Sequence, residues 1–157
     1  MPIASLADIR ARIGDEIGVS DWIAIDQARI NAFADTTEDR QFIHIDPDAA
    51  ARTPFGGTVA HGFLTLSLLS RMGADAMLLP TGLAMAVNYG LDRVRFIAPV
   101  RSGSRVRGRF VLDSIEAKAP GQLLMRHQVS VEIERGDKPA LTAMWLAMIF
   151  IQGDSDA

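Results

Sequence analysis

The chain has 157 residues, 48% of them apolar, and a formal net charge of −3. That length suits one domain, and the charge leaves no footprint for nucleic acid or an anionic membrane. With no cysteine, disulfides, thiolate metal sites and a cysteine nucleophile are excluded.

The first residues lack a basic region followed by an apolar run, so no secretory signal is expected. The longest apolar runs, near Leu78 and over residues 145–151, are too short to span a bilayer. The expectation is one cytoplasmic domain over residues 1–157, ending in a polar, frayed tail at 153–157.

In chain order, Ser5 is placed to cap a short helix, with Asp8 as the return partner of a capping box, and Gly14 ends it. Residues 22–25 read as a strand. Asp26 then caps a helix that carries Ile30 and Phe33 on one side and runs to about Ala34. Asp46-Pro47 starts another short helix: Asp caps, and Pro at the first position loses no needed N–H. Gly56-Gly57 reads as a turn, because no Lys-Ser/Thr follows as a phosphate loop requires. From Gly62 to Met72, Phe63, Leu64, Leu66, Leu68, Leu69 and Met72 cover most of a helix circumference, the pattern of a buried helix. Gly73, Pro80 and Gly82 are expected to end it.

The second half has the period of strands. Residues 84–89, 93–97, 105–116, 123–135 and 140–151 are separated by Gly90, by residues 99–103, by Pro120-Gly121 and by Gly136-Asp137. In the fourth, Leu123, Met125, His127, Val129, Val131 and Ile133 alternate with polar residues, as in an antiparallel strand with one wet face. Residues 140–151 are nearly all apolar, as for a central strand, and short connections favour a meander. Pattern alone gives an α+β fold: a long helix and an antiparallel sheet to wrap it.

The chemistry-bearing residues lie ahead of that helix. Asp39-Arg40-Gln41-Phe42-Ile43-His44-Ile45-Asp46-Pro47 resembles the hydratase motif of MaoC-type, (R)-specific enoyl-CoA hydratases. Val59-Ala60-His61-Gly62 resembles the start of that family's central helix, and residues 87–100 its following strand pair. Gln41 and Asn88-Tyr89-Gly90-Leu91 point to the NodN-like branch. The resemblance covers residues 19–109. It implies a hot-dog fold, an antiparallel sheet wrapped around one long helix, and a homodimer with active sites near the interface. It implies reversible hydration of a trans-2-enoyl-CoA to a (3R)-hydroxyacyl-CoA, with no cofactor beyond the coenzyme A of the substrate.

On that resemblance Asp39 is the acid/base and His44 its partner on a shared water. Such groups contribute about 10²–10⁴-fold each. The N–H of Gly62 at the helix N-terminus suits the thioester oxygen as enolate charge builds on it. Ser70 matches a helix serine near the catalytic pair, and Asn88 and Gly90 are placed with the substrate. Relatives carry Gly immediately before the catalytic Asp, whereas this chain has Glu38; a positive φ there would strain Glu. A hot-dog thioesterase and a non-catalytic acyl-CoA-binding or partner-binding protein are the alternatives.

Asp46 is explained as a helix cap, and His61 is expected to hydrogen-bond and shape its turn. His127 is expected to be a satisfied core histidine, with a cavity-lining role as the alternative. The carboxylates around His44 match neither zinc nor calcium spacing, so no metal is expected. Arg93, Arg95, Arg101, Arg105, Arg107 and Arg109 read as a solvated face, with the phosphates of coenzyme A as the alternative ligand.

Overall fold

The computed structural model describes residues 2–152; the tail expected at 153–157 lies outside the described residues. The first strand, β1 (Ile3–Ala4), leads into α1 (Leu6–Arg10), capped by Ser5, whose Oγ accepts from the Asp8 N–H at 3.1 Å. Strands β2 (Glu16–Val19) and β3 (Ile23–Ile25) follow. Helix α2 (Gln27–Thr37) is capped by Asp26, which accepts from the Arg29 N–H at 2.8 Å. It runs a turn beyond the expected Ala34. Two short helices come next, α3 (Phe42–Ile45) and α4 (Pro47–Ala51), the latter capped by Asp46 as expected.

The central helix is α5 (Gly62–Ser67) followed by α6 (Leu69–Ala76). Leu68 between them keeps right-handed helical angles, so the backbone runs on. Two expectations are corrected here. Gly73 lies inside α6 rather than ending it, because a Cβ there would come 2.8 Å from the Trp145 ring and 2.9 Å from the Met77 sulfur. The N-terminal turn is not buried all round either, since Phe63 is 68% exposed.

Then come β4 (Leu79–Pro80), β5 (Leu83–Phe96), β6 (Ser104–Ala119), β7 (Gln122–Ile133) and β8 (Leu141–Ile151). The main sheet has order β2-β6-β7-β8-β5, with β3 also on β6. Strands β6, β7 and β8 form the expected antiparallel meander. However, β5 pairs with β8 and not with its sequence neighbour β6. The two strands expected at 84–89 and 93–97 are one: Gly90 does not break it. The chain absorbs the irregularity as register shifts at Asn88/Gly90 and Asp92/Arg95, with Arg93 at φ 55°.

The sheet curls over α5–α6. Leu64, Leu69, Met72 and Ala76 of the helix join Phe110, Leu112, Met125, Val131 and Ile149 of the strands in one core. Full burial of a side chain such as Met72 stabilises by about 1.5–3 kcal/mol. The packing fixes the helix axis, and so fixes where its N-terminus emerges. No helix among the described residues is long and apolar enough to cross a membrane.

Candidate active site

Asp39 follows the end of α2. The helix stops at Glu38, which sits at φ 61°, ψ 12° in the left-handed region. This is the strained positive φ that the sequence raised for Glu38, and it turns the chain ahead of Asp39. The Asp39 side chain is 55% exposed.

His44 lies on α3 and is buried. Its Nδ1–H donates to the Val59 carbonyl at 2.6 Å, which leaves Nε2 with its lone pair free to accept. Burial is the largest influence on its pKa and lowers it; the Val59 bond opposes this, His61 adds to the lowering and Asp39 opposes it. A lowered pKa keeps the ring able to accept a proton-bearing ligand near neutrality. The α3 turn is tied down by Gln27 of α2, whose Nε2 donates to the His44 carbonyl at 2.7 Å and whose Oε1 accepts from Thr58 Oγ1 at 2.6 Å.

His61 precedes α5 and is 3% exposed. Its ring stacks on that of His44, centroids 3.7 Å apart and planes 24° apart. Its Nε2–H donates to the Asp39 backbone carbonyl at 2.9 Å. Asp39, His44 and His61 thus bring one oxygen or nitrogen each within 4.8 Å of the others. The stacking argues against a shared metal, because the in-plane lone pairs of two near-parallel rings do not converge on one point.

Gly62 is the first residue of α5, where its N–H has no partner within the helix. Phe96 packs across it: a Cβ at Gly62 would come 2.9 Å from two atoms of that ring. Gly62, His44, Val59, Thr65, Phe96 and Ala98 are among the walls of a cavity of about 300 Å³. Asp39 is not one of them, but its carboxylate reaches the imidazoles at its edge.

The structure therefore brings Asp39, His44 and Gly62 together. It does not bring Ser70, Asn88 and Gly90 to them within one chain. Those three line a separate groove of about 440 Å³ between the central helix and β5, floored by Trp145. Asn88 Nδ2 donates to Ser70 Oγ at 3.3 Å. The groove continues along Gly73, Ala74, Ala84 and Ala86, small residues that keep it open.

The arginine-rich stretch divides. Arg105, Arg107 and Arg109 lie on β6 and are matched by carboxylates: Arg105 by Glu134, Arg107 by Glu132 at 2.6 Å, and Arg109 by Glu132 at 2.5 Å and Glu16 at 2.8 Å. Arg107 also covers the Trp22 ring at 4.4 Å. With their charge already paired, these three favour the solvated-face reading over phosphate binding. Arg93, Arg95 and Arg101 have no carboxylate partner among the described residues.

His127 departs from expectation. It is fully buried on β7, but neither ring nitrogen has a hydrogen-bond partner among the described residues. Burial lowers its pKa to about 4, with Asp113 opposing. It lines neither the Gly62 cavity nor the Ser70 groove.

Sequence reasoning did not find Gln27, Thr58 or Val59 as supports of the site, nor the stack of His61 on His44. Each acts through a contact 15 or more residues away in the chain, and no local spacing marks it.

Known proteins resemble this chain in sequence and in fold. A family described as MaoC like domain matches residues 8–133. Nodulation protein N of Rhizobium leguminosarum bv. viciae is 55% identical over 146 residues, covering 92% of this chain and 91% of that protein. The 3-hydroxyacyl-thioester dehydratase Z of Mycobacterium tuberculosis is 47% identical over 139 residues, 88% of this chain and 91% of that one. Among solved structures, the MaoC-like dehydratase from Rhodospirillum rubrum superposes with a TM-score of 0.77 at 22% identity, over 96% of this chain and 99% of that one. With its sheet wrapped around a helix and its motif over residues 39–47, the chain belongs to the MaoC-like dehydratase family, and NodN is among its close relatives.

Proposed function

We propose that the protein is a hydro-lyase that adds water reversibly across a trans-2-enoyl-CoA to give a (3R)-3-hydroxyacyl-CoA. The observation that carries this reading is the Asp39 carboxylate and the His44 imidazole coming within 4.8 Å of each other, with His44 Nδ1 committed to Val59 and Gly62 at the start of α5 lining the same cavity as His44. The dehydratase named among its relatives supports the reaction class.

The chemistry follows from the tautomer. With Nδ1–H committed to Val59, His44 Nε2 accepts one hydrogen of a water molecule and Asp39 accepts the other. The water oxygen bonds to C3 while Asp39 takes its proton. The C2–C3 π pair moves toward the carbonyl, and enolate charge collects on the thioester oxygen. The Gly62 N–H donates there, at the positive end of a helix dipole. Asp39 then delivers the proton to C2. Water is consumed, one C–O and one C–H bond form, and the thioester is unchanged. The reverse path dehydrates.

Ser70, Asn88 and Gly90 belong to this reading as walls of the acyl groove, whose apolar floor suits a hydrocarbon chain. A homodimer fits as well. The outer edge of β5 has no strand partner among the described residues, and Met85, Val87, Tyr89 and Leu91 stand exposed along it. An edge of that length is a template for a second copy, and light scattering at twice the chain mass tests it.

The reaction is tested with crotonyl-CoA, following loss of enoyl absorbance beside release of free CoA. Hydration without CoA release is expected. Release of CoA instead assigns a thioesterase, and binding without turnover assigns a carrier. Asp39→Asn should lower kcat by about 10²–10⁴-fold with the fold intact.

A further inference from the structure

His61 is buried more deeply than either proposed catalytic residue, yet it lies outside the acid–base scheme. Three contacts define it. Its Nε2 lies 2.9 Å from the Asp39 carbonyl oxygen and 4.0 Å from the Asp39 carboxylate. Its ring stacks on His44 at 3.7 Å. Phe33 of α2 closes the other side, at 5.0 Å between centroids. Its Nδ1 is buried without a partner among the described residues.

A carbonyl can only accept, so the hydrogen sits on Nε2 and Nδ1 keeps a bare lone pair. Leaving a buried acceptor unpaired is unfavourable, and a phenyl ring would fill the same stacked space without that penalty. What a phenyl ring lacks is the donor to Asp39. The Glu38 turn is left-handed and is closed by the Arg40 N–H, which donates to the Glu38 carbonyl at 3.1 Å. The Asp39 carboxylate accepts from the Gln41 N–H at a long 3.5 Å, and among the described residues His61 is the side chain that donates to the Asp39 carbonyl.

We propose that His61 is a positioning residue for the hydration reaction. Its Nε2–H fixes the Asp39 peptide, and its ring backs the His44 imidazole, so that one side chain sets the spacing of both catalytic groups. His61 directly precedes Gly62, so the same residue couples the acid–base pair to the N-terminus of the central helix. This proposal rests on the hydratase reading above.

Three variants separate its two contacts. His61→Gln keeps a donor near Nε2, His61→Phe keeps the ring, and His61→Ala removes both. Displacing a catalytic group by about 1 Å costs about 10²-fold. The expected result is a kcat loss of about 10²-fold for His61→Phe with KM within about threefold, and partial rescue of kcat by His61→Gln. A melting curve for each variant verifies the fold. Equal kcat in His61→Phe and wild type overturns the role, as does a loss confined to KM. In the wild-type protein, long-range ¹⁵N–¹H spectra should show His61 as the Nε2–H tautomer; an Nδ1–H tautomer overturns the proposal without any variant. If the wild type itself fails to hydrate crotonyl-CoA, the hydratase reading fails and this role falls with it. If the wild type hydrates and His61→Phe keeps its rate, only the role of His61 is lost.

Discussion

Glu38 holds a left-handed conformation, and that geometry carries a cost. A left-handed conformation strains any residue with a Cβ, by about 1 kcal/mol or more, and here it is required by the turn that presents Asp39. Glu38→Gly should therefore raise stability by about 1 kcal/mol, which for a chain this size is an increase of about 2–4 °C in Tm. A melting curve that falls, or does not move, contradicts the strain. The residue level was also where the sequence was most legible. Asp39 and His44 come from one short motif and Gly62 from a second at residues 59–62; the family resemblance marked all three, and the structure places them near one another. His61 was expected to hydrogen-bond, and it does, but its partner, like the contacts of Gln27 and Val59, was not legible. Their partners lie 22, 17 and 15 residues away, and the contact depends on how α2, α3 and α5 pack.

At the scale of elements, the caps at Ser5, Asp26 and Asp46 and the meander β6–β7–β8 follow from local rules of capping and alternation. The continuity of β5 through Gly90 does not. A glycine in a strand reads as a break, but pairing with β8 on one side holds the strand together across the register shifts at Asn88/Gly90 and Asp92/Arg95. Gly73 was misread for a similar reason: it is small because Trp145 presses on α6, which only the packed structure shows. The same logic predicts the effect of enlarging Gly62. The Phe96 ring that a new side chain would meet is half-exposed and has room to move, so Gly62→Val should fold. Its side chain, and the displaced ring, would crowd the approach to the first N–H of α5. A drop of at least about 10²-fold in kcat/KM is expected, read in the enoyl-CoA assay with a melting curve alongside. A fully active variant contradicts the place given to that N–H.

At the scale of the whole molecule, the central helix and its sheet share one core, and His127 is its polar flaw. Its folded pKa of about 4 lies below the ordinary value of 6.5. Between those values the unfolded chain takes up a proton that the folded one refuses, so stability is full above about pH 6.5 and is lost as pH falls toward 4. The loss amounts to about 3 kcal/mol across that window. Urea melts at fixed protein concentration should show it, and His127→Leu should flatten that part of the profile. An unchanged slope in the variant would assign the pH dependence elsewhere. The layout of the molecule also explains why two grooves flank one helix: Asp39 and His44 meet its N-terminus, while the apolar groove runs between its body and β5.

The measurement that bears most directly on the account is crotonyl-CoA hydration by the wild type and by Asp39→Asn, with the product's configuration determined. The account predicts (3R)-3-hydroxybutyryl-CoA from the wild type, no free CoA, and loss of about 10²–10⁴-fold in kcat in the folded variant. Turnover that survives in Asp39→Asn, or release of CoA in place of hydration, would contradict it.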